Sequence, residues 1–170
     1  MLDIYTSEAC SGGVVHSLEE FLSRHDLTHL TEGGLIVDMA CGKGTLLGLL
    51  KQRFPEAEYL GIDVRHDTIE DAAKEYPEID FLRGDIMDTG LPSNSVSIAT
   101  AVAIIDYANG RMDSSLSLPK YAKEIERVLI PGGIYFPWDI RFDEECTKHF
   151  VDAGLEQHDW LCLHIFQKRK

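Results

Sequence analysis

Residues 34–50, GLIVDMACGKGTLLGLL, limit most sharply what this chain can fold into. The apolar run 35–37 is β-branched at Ile36 and Val37 and does not alternate with polar residues, so it reads as a strand buried on both faces. Asp38 closes that strand. Ala40, Cys41, Gly42 and Gly44 make a small-residue turn, and Thr45 opens a segment with Leu46, Leu47, Leu49 and Leu50 at helical spacing. Strand, glycine turn and helix form the first unit of a nucleotide-binding α/β sheet. Glycine serves there where φ is positive or where a ligand comes close to the backbone.

The turn does not fit a phosphate. The dinucleotide fingerprint needs three glycines. One frame gives Ala40, Gly42 and Thr45, the other Gly42, Gly44 and Leu47. The P-loop pattern is absent as well. Asp38, at the carboxyl end of the strand, would repel a pyrophosphate in a low-dielectric crevice. It would attract an ammonium group. A nicotinamide cofactor is disfavoured on both grounds. S-adenosylmethionine (SAM) carries an ammonium, a sulfonium and a ribose diol, and no phosphate.

The segment IVDMACGKG, residues 36–44, resembles the first motif of the class I SAM-dependent methyltransferases, whose usual form is VLDLGCGTG. Ala40 departs from the glycine usual there, and a slightly tighter turn is expected. The resemblance implies an α/β fold: a Rossmann-like three-layer sandwich around a mostly parallel seven-stranded sheet with an antiparallel last strand. It implies SAM as cofactor, held by Asp38, Ala40, Cys41, Gly42 and Gly44. Asp63 closes a second strand, EYLGID, nineteen positions after Gly44. That is close to the ~20 at which a carboxylate meets a ribose diol, two acceptor oxygens facing two hydroxyls. By the resemblance Asp63 takes the ribose and Val64 packs on the adenine. Asp63→Ala is expected to abolish SAM binding and leave the fold intact. A helix over 65–76 follows, stopped at Pro77. Residues 79–86, IDFLRGDI, give a third strand, a turn and a third acid; in the family pattern Asp85 accepts from the adenine amine and Ile86 stacks on the ring. Three successive strands thus end in carboxylates at one sheet edge, where open α/β sheets bind ligands.

Residues 95–107, SVSIATAVAIIDY, resemble the family's fourth strand, with Ala101, Val102 and Ala103 beside the methionine part of SAM and Asp106-Tyr107 in place of the common Glu-His. The Asn-Pro-Pro-Tyr signature of amino-group methylation is missing, and nothing supplies a paired-cysteine mechanism. A mobile polar loop is expected over 108–117 and a helix over 118–129. Residues 129–136, LIPGGIYF, resemble the family's L-x-P-G-G segment leading into strand five, with Pro137, Trp138 and Asp139 just past it on the substrate side. A last helix is expected over 142–153. The closing hairpin lacks an Asn-Gly or Gly-Gly turn, so strand six is expected to be very short and strand seven to run over 161–167.

At the N-terminus, Gly12-Gly13 suggests a break, with Ser11 or Ser17 as a cap, before a helix over about 14–30. Val14, Leu18, Phe21 and Leu22 share one face. The resemblance makes residues 1–32 a helical lid on a single domain spanning 1–170, with Tyr5 and His16 as candidate wall contacts. The 170 residues suit one domain. The net charge of −13 disfavours nucleic acid as a partner. No apolar run approaches the ~20 residues of a membrane span. The N-terminus does not read as a signal peptide, so a cytoplasmic location is expected. Cys10, Cys41, Cys146 and Cys162 are scattered without ligand spacing, so neither a metal nor a disulfide framework is expected. Methyl transfer from a sulfonium is an in-line displacement that needs placement more than a base. His16, Asp106, Tyr107 and Asp139 are candidates by position only, and no catalytic residue is assigned. The expected acceptor is a small molecule or a protein, with a second copy or a partner subunit completing its site. The alternative is a SAM-binding subunit without activity of its own.

Overall fold

Alternation along the strands sorts the apolar side chains onto the two faces of one sheet. The computed structural model describes residues 8–104, 116–138, 144–160 and 163–170. Its strands are β1 (Leu35–Met39), β2 (Glu58–Asp63), β3 (Asp80–Arg83), β4 (Val96–Val102), β5 (Leu129–Trp138), β6 (Leu155–Trp160) and β7 (Leu163–Lys168). They lie in the order β3-β2-β1-β4-β5-β7-β6. β1 to β5 run parallel, and β7 is antiparallel to both of its neighbours. This is the mostly parallel seven-stranded sheet with an antiparallel last strand that the sequence implies.

The helices are α1 (Glu8–Arg24), α2 (Thr45–Arg53), α3 (His66–Glu75), α4 (Leu118–Val128) and α5 (Glu144–Asp152). Ile36, Ile98, Ile134 and Ile165 face α1, α2 and α3, where Leu18, Leu47 and Ile69 meet them. Their chain neighbours Val37, Ala99, Tyr135 and Phe166 face α4 and α5, against Ile125 and Phe150. Both faces are covered, which is why the central strands read as unbroken apolar runs.

Four expectations need correction. Gly12 and Gly13 do not break the chain but lie inside α1. Each costs about 1 kcal/mol in a helix interior. Full burial of Val14, Leu18, Phe21 and Leu22 contributes about 2 kcal/mol per side chain and outweighs that. β6 is a full six-residue strand, paired from Leu155↔Lys168 to Trp160↔Leu163. The missing turn dipeptide misled: β6 pairs with β7 along its whole length all the same, and as the edge strand it carries the charged side chains favoured there. The LIPGG segment does not precede β5 but belongs to it. Ile98 pairs with Ile134 while Val96 pairs with Leu129, so a bulge takes up Ile130 to Gly133. Gly132 has φ +84° there, and a Cβ on Gly133 would lie 3.0 Å from the carbonyl oxygens of Ile130 and Ser97. Pro137 and Trp138 are likewise part of β5, and β4 stops at Val102.

α1 packs along its length as a layer of the core, beside α2. Tyr5, Asp106, Tyr107, Asp139, Cys162 and most of the 108–117 loop lie outside the described residues. Cys41 and Cys146 are buried. Among the described residues no helix is long and apolar enough to cross a membrane.

Candidate active site

The turn between β1 and α2 is held by backbone geometry that favours glycine. Ala40, Gly42 and Gly44 take φ values of +62°, +53° and +77°. At Gly44 a Cβ would stand 2.7 Å from Phe81 Cζ, so this position is closed to any larger residue. At Gly42 a Cβ would meet nothing within 4 Å. The first glycine packs the turn onto β3, and the second leaves free space above the backbone. Ala40 is a left-handed non-glycine residue, which costs roughly 1–2 kcal/mol. The departure from the family glycine therefore shows as backbone strain and not as a tighter turn.

Asp63 stitches this turn to the end of β2. Its Oδ2 accepts from the Gly42 N–H at 3.0 Å and its Oδ1 from the Arg65 N–H at 2.9 Å. The Cys41 N–H donates to the Ile62 carbonyl at 2.9 Å, and the Gly44 N–H to the Cys41 carbonyl at 3.0 Å. Each carboxylate oxygen keeps a further lone pair for a ligand. Val64 is 64% exposed at the edge, its carbonyl held by Arg83 Nε at 3.2 Å. An apolar side chain so open to water fits a flat ring that would cover it.

Asp38 is 3% exposed. Thr100 Oγ1 donates to its Oδ1 at 2.8 Å across the β1–β4 register. Burial pushes the Asp38 carboxyl up to about 7; the charge of Asp63 adds to this, and the Thr100 hydrogen bond opposes it. A buried acid with no cation beside it among the described residues suits a ligand that brings one. Cys41 turns its thiol inward, 8% exposed, so only its backbone faces the edge. Burial first, then the charges of Asp38 and Asp63, push that thiol well above its ordinary range, which leaves it inert.

Beyond β3, Asp85 Oδ1 accepts from the Met87 N–H at 2.8 Å, closing a turn that carries half-buried Ile86. That segment is tied to α4. The Thr89 N–H and hydroxyl donate to Glu124 Oε1 at 2.8 and 2.6 Å, and Arg127 pairs with the same carboxylate at 2.7 Å. Burial pushes Glu124 up, but the bonds from Arg127 and Thr89 prevail and hold it below the usual carboxylate range. On β4, Ala101 is 2% exposed and Val102 half-buried, paired with Pro137 and Trp138 of β5. Ala103 follows at φ +57°, its N–H bonded to the Trp138 carbonyl at 3.0 Å. The Trp138 ring lies against α1, 3.7 Å from where a Cβ on Gly13 would be.

The carboxyl edge therefore carries Asp38, Ala40, Cys41, Gly42, Gly44, Asp63, Val64, Asp85, Ile86, Ala101 and Val102 on adjoining strands and turns. His16, on the exposed face of α1, lies among Gly12, Glu19, Leu49 and Arg53, away from this line. Thr100 and Glu124 were not anticipated. Thr100 is a hydroxyl inside the apolar run 98–102, and Glu124 is spaced i, i+3 from Arg127 on one helix; each is a signal the sequence did offer.

A doubly wound sheet with acids at the ends of two adjacent parallel strands and in the turn after a third is a nucleoside-binding α/β domain. Comparison with known proteins narrows this. The methyltransferase domain family model matches residues 37–136, and the chain belongs to that family. It is a class I SAM-dependent methyltransferase domain, with SAM as the cofactor of its class. Trans-aconitate 2-methyltransferase of Azoarcus sp. (strain BH72) is 28% identical over 62% of this chain and 38% of its own length. The mouse U6 snRNA (guanine-N(2))-methyltransferase THUMPD2 is 28% identical over 75% of this chain and 24% of its own. The chain thus spans well under half of these curated relatives. In fold it is similar to a TehB-like SAM-dependent methyltransferase from Corynebacterium glutamicum, with TM-score 0.65, 17% identity, and 91% of this chain and 98% of that one covered.

Proposed function

We propose that this chain, as a single domain over residues 1–170, transfers the methyl group of SAM to a small-molecule or protein acceptor. The observation that carries the reading is the acidic edge: Asp38 and Asp63 on adjacent strands and Asp85 in the turn after β3, beside a glycine turn with free space above Gly42. Asp38 receives the ammonium, Asp63 the ribose hydroxyls and Asp85 the adenine amine. Val64 and Ile86 border the ring, and the backbone from Ala40 to Gly44 lies along the nucleoside. Ala101 and Val102 border the methionine side. SAM supplies both the activated methyl group and its leaving group. The work left to the protein is to place the acceptor and exclude water. We assign the acceptor wall to Trp138, the register partner of Val102, and to Gly13 of α1, against which its ring lies.

The acceptor class follows from charge. At −13 the chain repels polyanions on average, which favours a small molecule or a protein over RNA. A second copy or a partner subunit would complete the acceptor site. Incubation with methyl-labelled SAM and a panel of small acids that includes trans-aconitate, alone and with cell extract, tests the reading. Label transferred to a small molecule or a protein supports it. Label appearing only in RNA refutes the acceptor class, and cofactor binding without transfer in either arm refutes the activity.

A further inference from the structure

Among the described residues Asp38 has one side-chain hydrogen-bond donor, and it comes from the next strand. Thr100 and Asp38 are register partners on β4 and β1, and both are buried. Among the described residues the titratable groups that act on Asp38 or feel its charge are Asp63 at the end of β2, Cys41 in the turn and Tyr121 on α4, and none of these is a cation. The Thr100 hydroxyl has a second acceptor, the Val37 carbonyl, at the longer distance of 3.5 Å. It can therefore turn between a charged and a neutral partner. Ile98, Ala99, Ala101 and Val102 around it are all apolar, so a valine at position 100 would suit the strand.

Resting on the cofactor placement above, we propose that Thr100 is a positioning residue for SAM: its hydroxyl keeps Asp38 ionised and turned to receive the ligand's ammonium group. A hydrogen bond to the charged form of an acid favours that form. The donor matters most near the pH at which Asp38 would otherwise take up a proton. Burial pushes this carboxyl up to about 7, so the relevant range is neutral pH.

The test is calorimetric binding of S-adenosylhomocysteine to the full chain between pH 6 and 8.5. This ligand is preferred because its ammonium, lacking a neighbouring sulfonium, keeps its proton to higher pH. In the wild type, affinity should fall below about pH 7. In Thr100→Val the midpoint should rise by about one unit, the loss of one charge-assisted hydrogen bond. Affinity at pH 6 then drops about tenfold, and at pH 8.5 it stays within about twofold. Thr100→Ser should follow the wild-type curve. An equal loss at every pH, or no change at any pH, overturns the proposal, since a purely structural role does not move the midpoint. If Thr100→Val does not fold, Thr100→Ala removes the same hydroxyl without adding bulk, and a midpoint that stays on the wild-type value in that variant overturns the proposal. Asp38→Asn separates the two readings. If it binds the ligand as well as wild type, the cofactor placement fails; if it binds weakly while the Thr100→Val curve stays on wild type, only the role of Thr100 fails.

Discussion

Removing the Asp63 side chain should damage two things at once, and each can be measured separately. The carboxylate accepts the N–H of Gly42 in the turn and of Arg65 at the start of α3. Each is a hydrogen bond to a charged acceptor, worth about 1.5 kcal/mol at the low end. Asp63→Ala should therefore cost about 3 kcal/mol of stability. At 2–4 °C per kcal/mol for a chain of this size, the midpoint of thermal unfolding should fall by roughly 6–12 °C. The fold is still expected to form in this variant, at the lower stability that the two lost hydrogen bonds set. Ribose binding should suffer independently. Losing a charged acceptor for two hydroxyls is again about 3 kcal/mol, a weakening of S-adenosylhomocysteine by about 100-fold. Asp63→Asn keeps one acceptor oxygen but turns an amide toward the other N–H, and should show about half the stability loss. Scanning calorimetry without ligand gives the first quantity, and titration calorimetry below the variant's unfolding range gives the second. A shift of less than about 2 °C would refute the stitch between β2 and the turn. Affinity within about threefold of wild type would refute the ribose contact.

Ala40→Gly should stabilise the chain by up to about 1 kcal/mol: it relieves roughly 1–2 kcal/mol of left-handed strain at φ +62° and costs about 0.4–1 kcal/mol of unfolded-state entropy. Urea unfolding checks this, and a lower midpoint would count against strain at the turn. Gly44→Ala should destabilise by roughly 2–4 kcal/mol in the same assay, from φ +77° together with a Cβ 2.7 Å from Phe81. The pH dependence follows from Asp38, whose folded value of about 7 lies above the ~3.9 of an unfolded aspartate. Its contribution is fully present below pH about 4 and is lost as pH rises through about 7, because the folded chain then has to bury the charge. Asp38→Asn should therefore gain thermal stability over wild type as pH goes from 5 to 8, and a difference that does not change with pH would contradict the buried charge.

The cofactor edge was legible in the sequence because each of its parts is local. A β-branched run, an acid and two glycines lie within ten residues, and positive φ restricts the turn before any tertiary contact forms. Asp63 was legible for a related reason: one helix and one strand separate it from Gly44, and that length is set by the βαβ unit. Boundaries were missed where a tertiary term outweighed local preference. Gly12-Gly13 reads as a break, yet four buried side chains carry α1 across it. Pro131-Gly132-Gly133 reads as a loop, yet β4 pairs on either side of it and absorbs it as a bulge.

What the sequence could not carry is the pairing of Asp38 with Thr100, 62 positions apart. Two residues on neighbouring parallel strands meet only once strand order and register are fixed, and the crossover between β1 and β4 passes through two other strands. The same reason governs the acceptor side. The Trp138 ring meets Gly13 because β5 and α1 are brought together by the closed sandwich. The nucleoside half of the site is thus built from contiguous units that any class member can repeat. The acceptor wall proposed above joins segments more than a hundred positions apart, Gly13 and Trp138, which lie outside the turn and strands assigned to the cofactor. Substitutions at Trp138 and Gly13 should accordingly alter which acceptor is methylated while leaving S-adenosylhomocysteine affinity near wild type. A Trp138→Ala variant that loses cofactor affinity in step with transfer would show that the two halves are not separable.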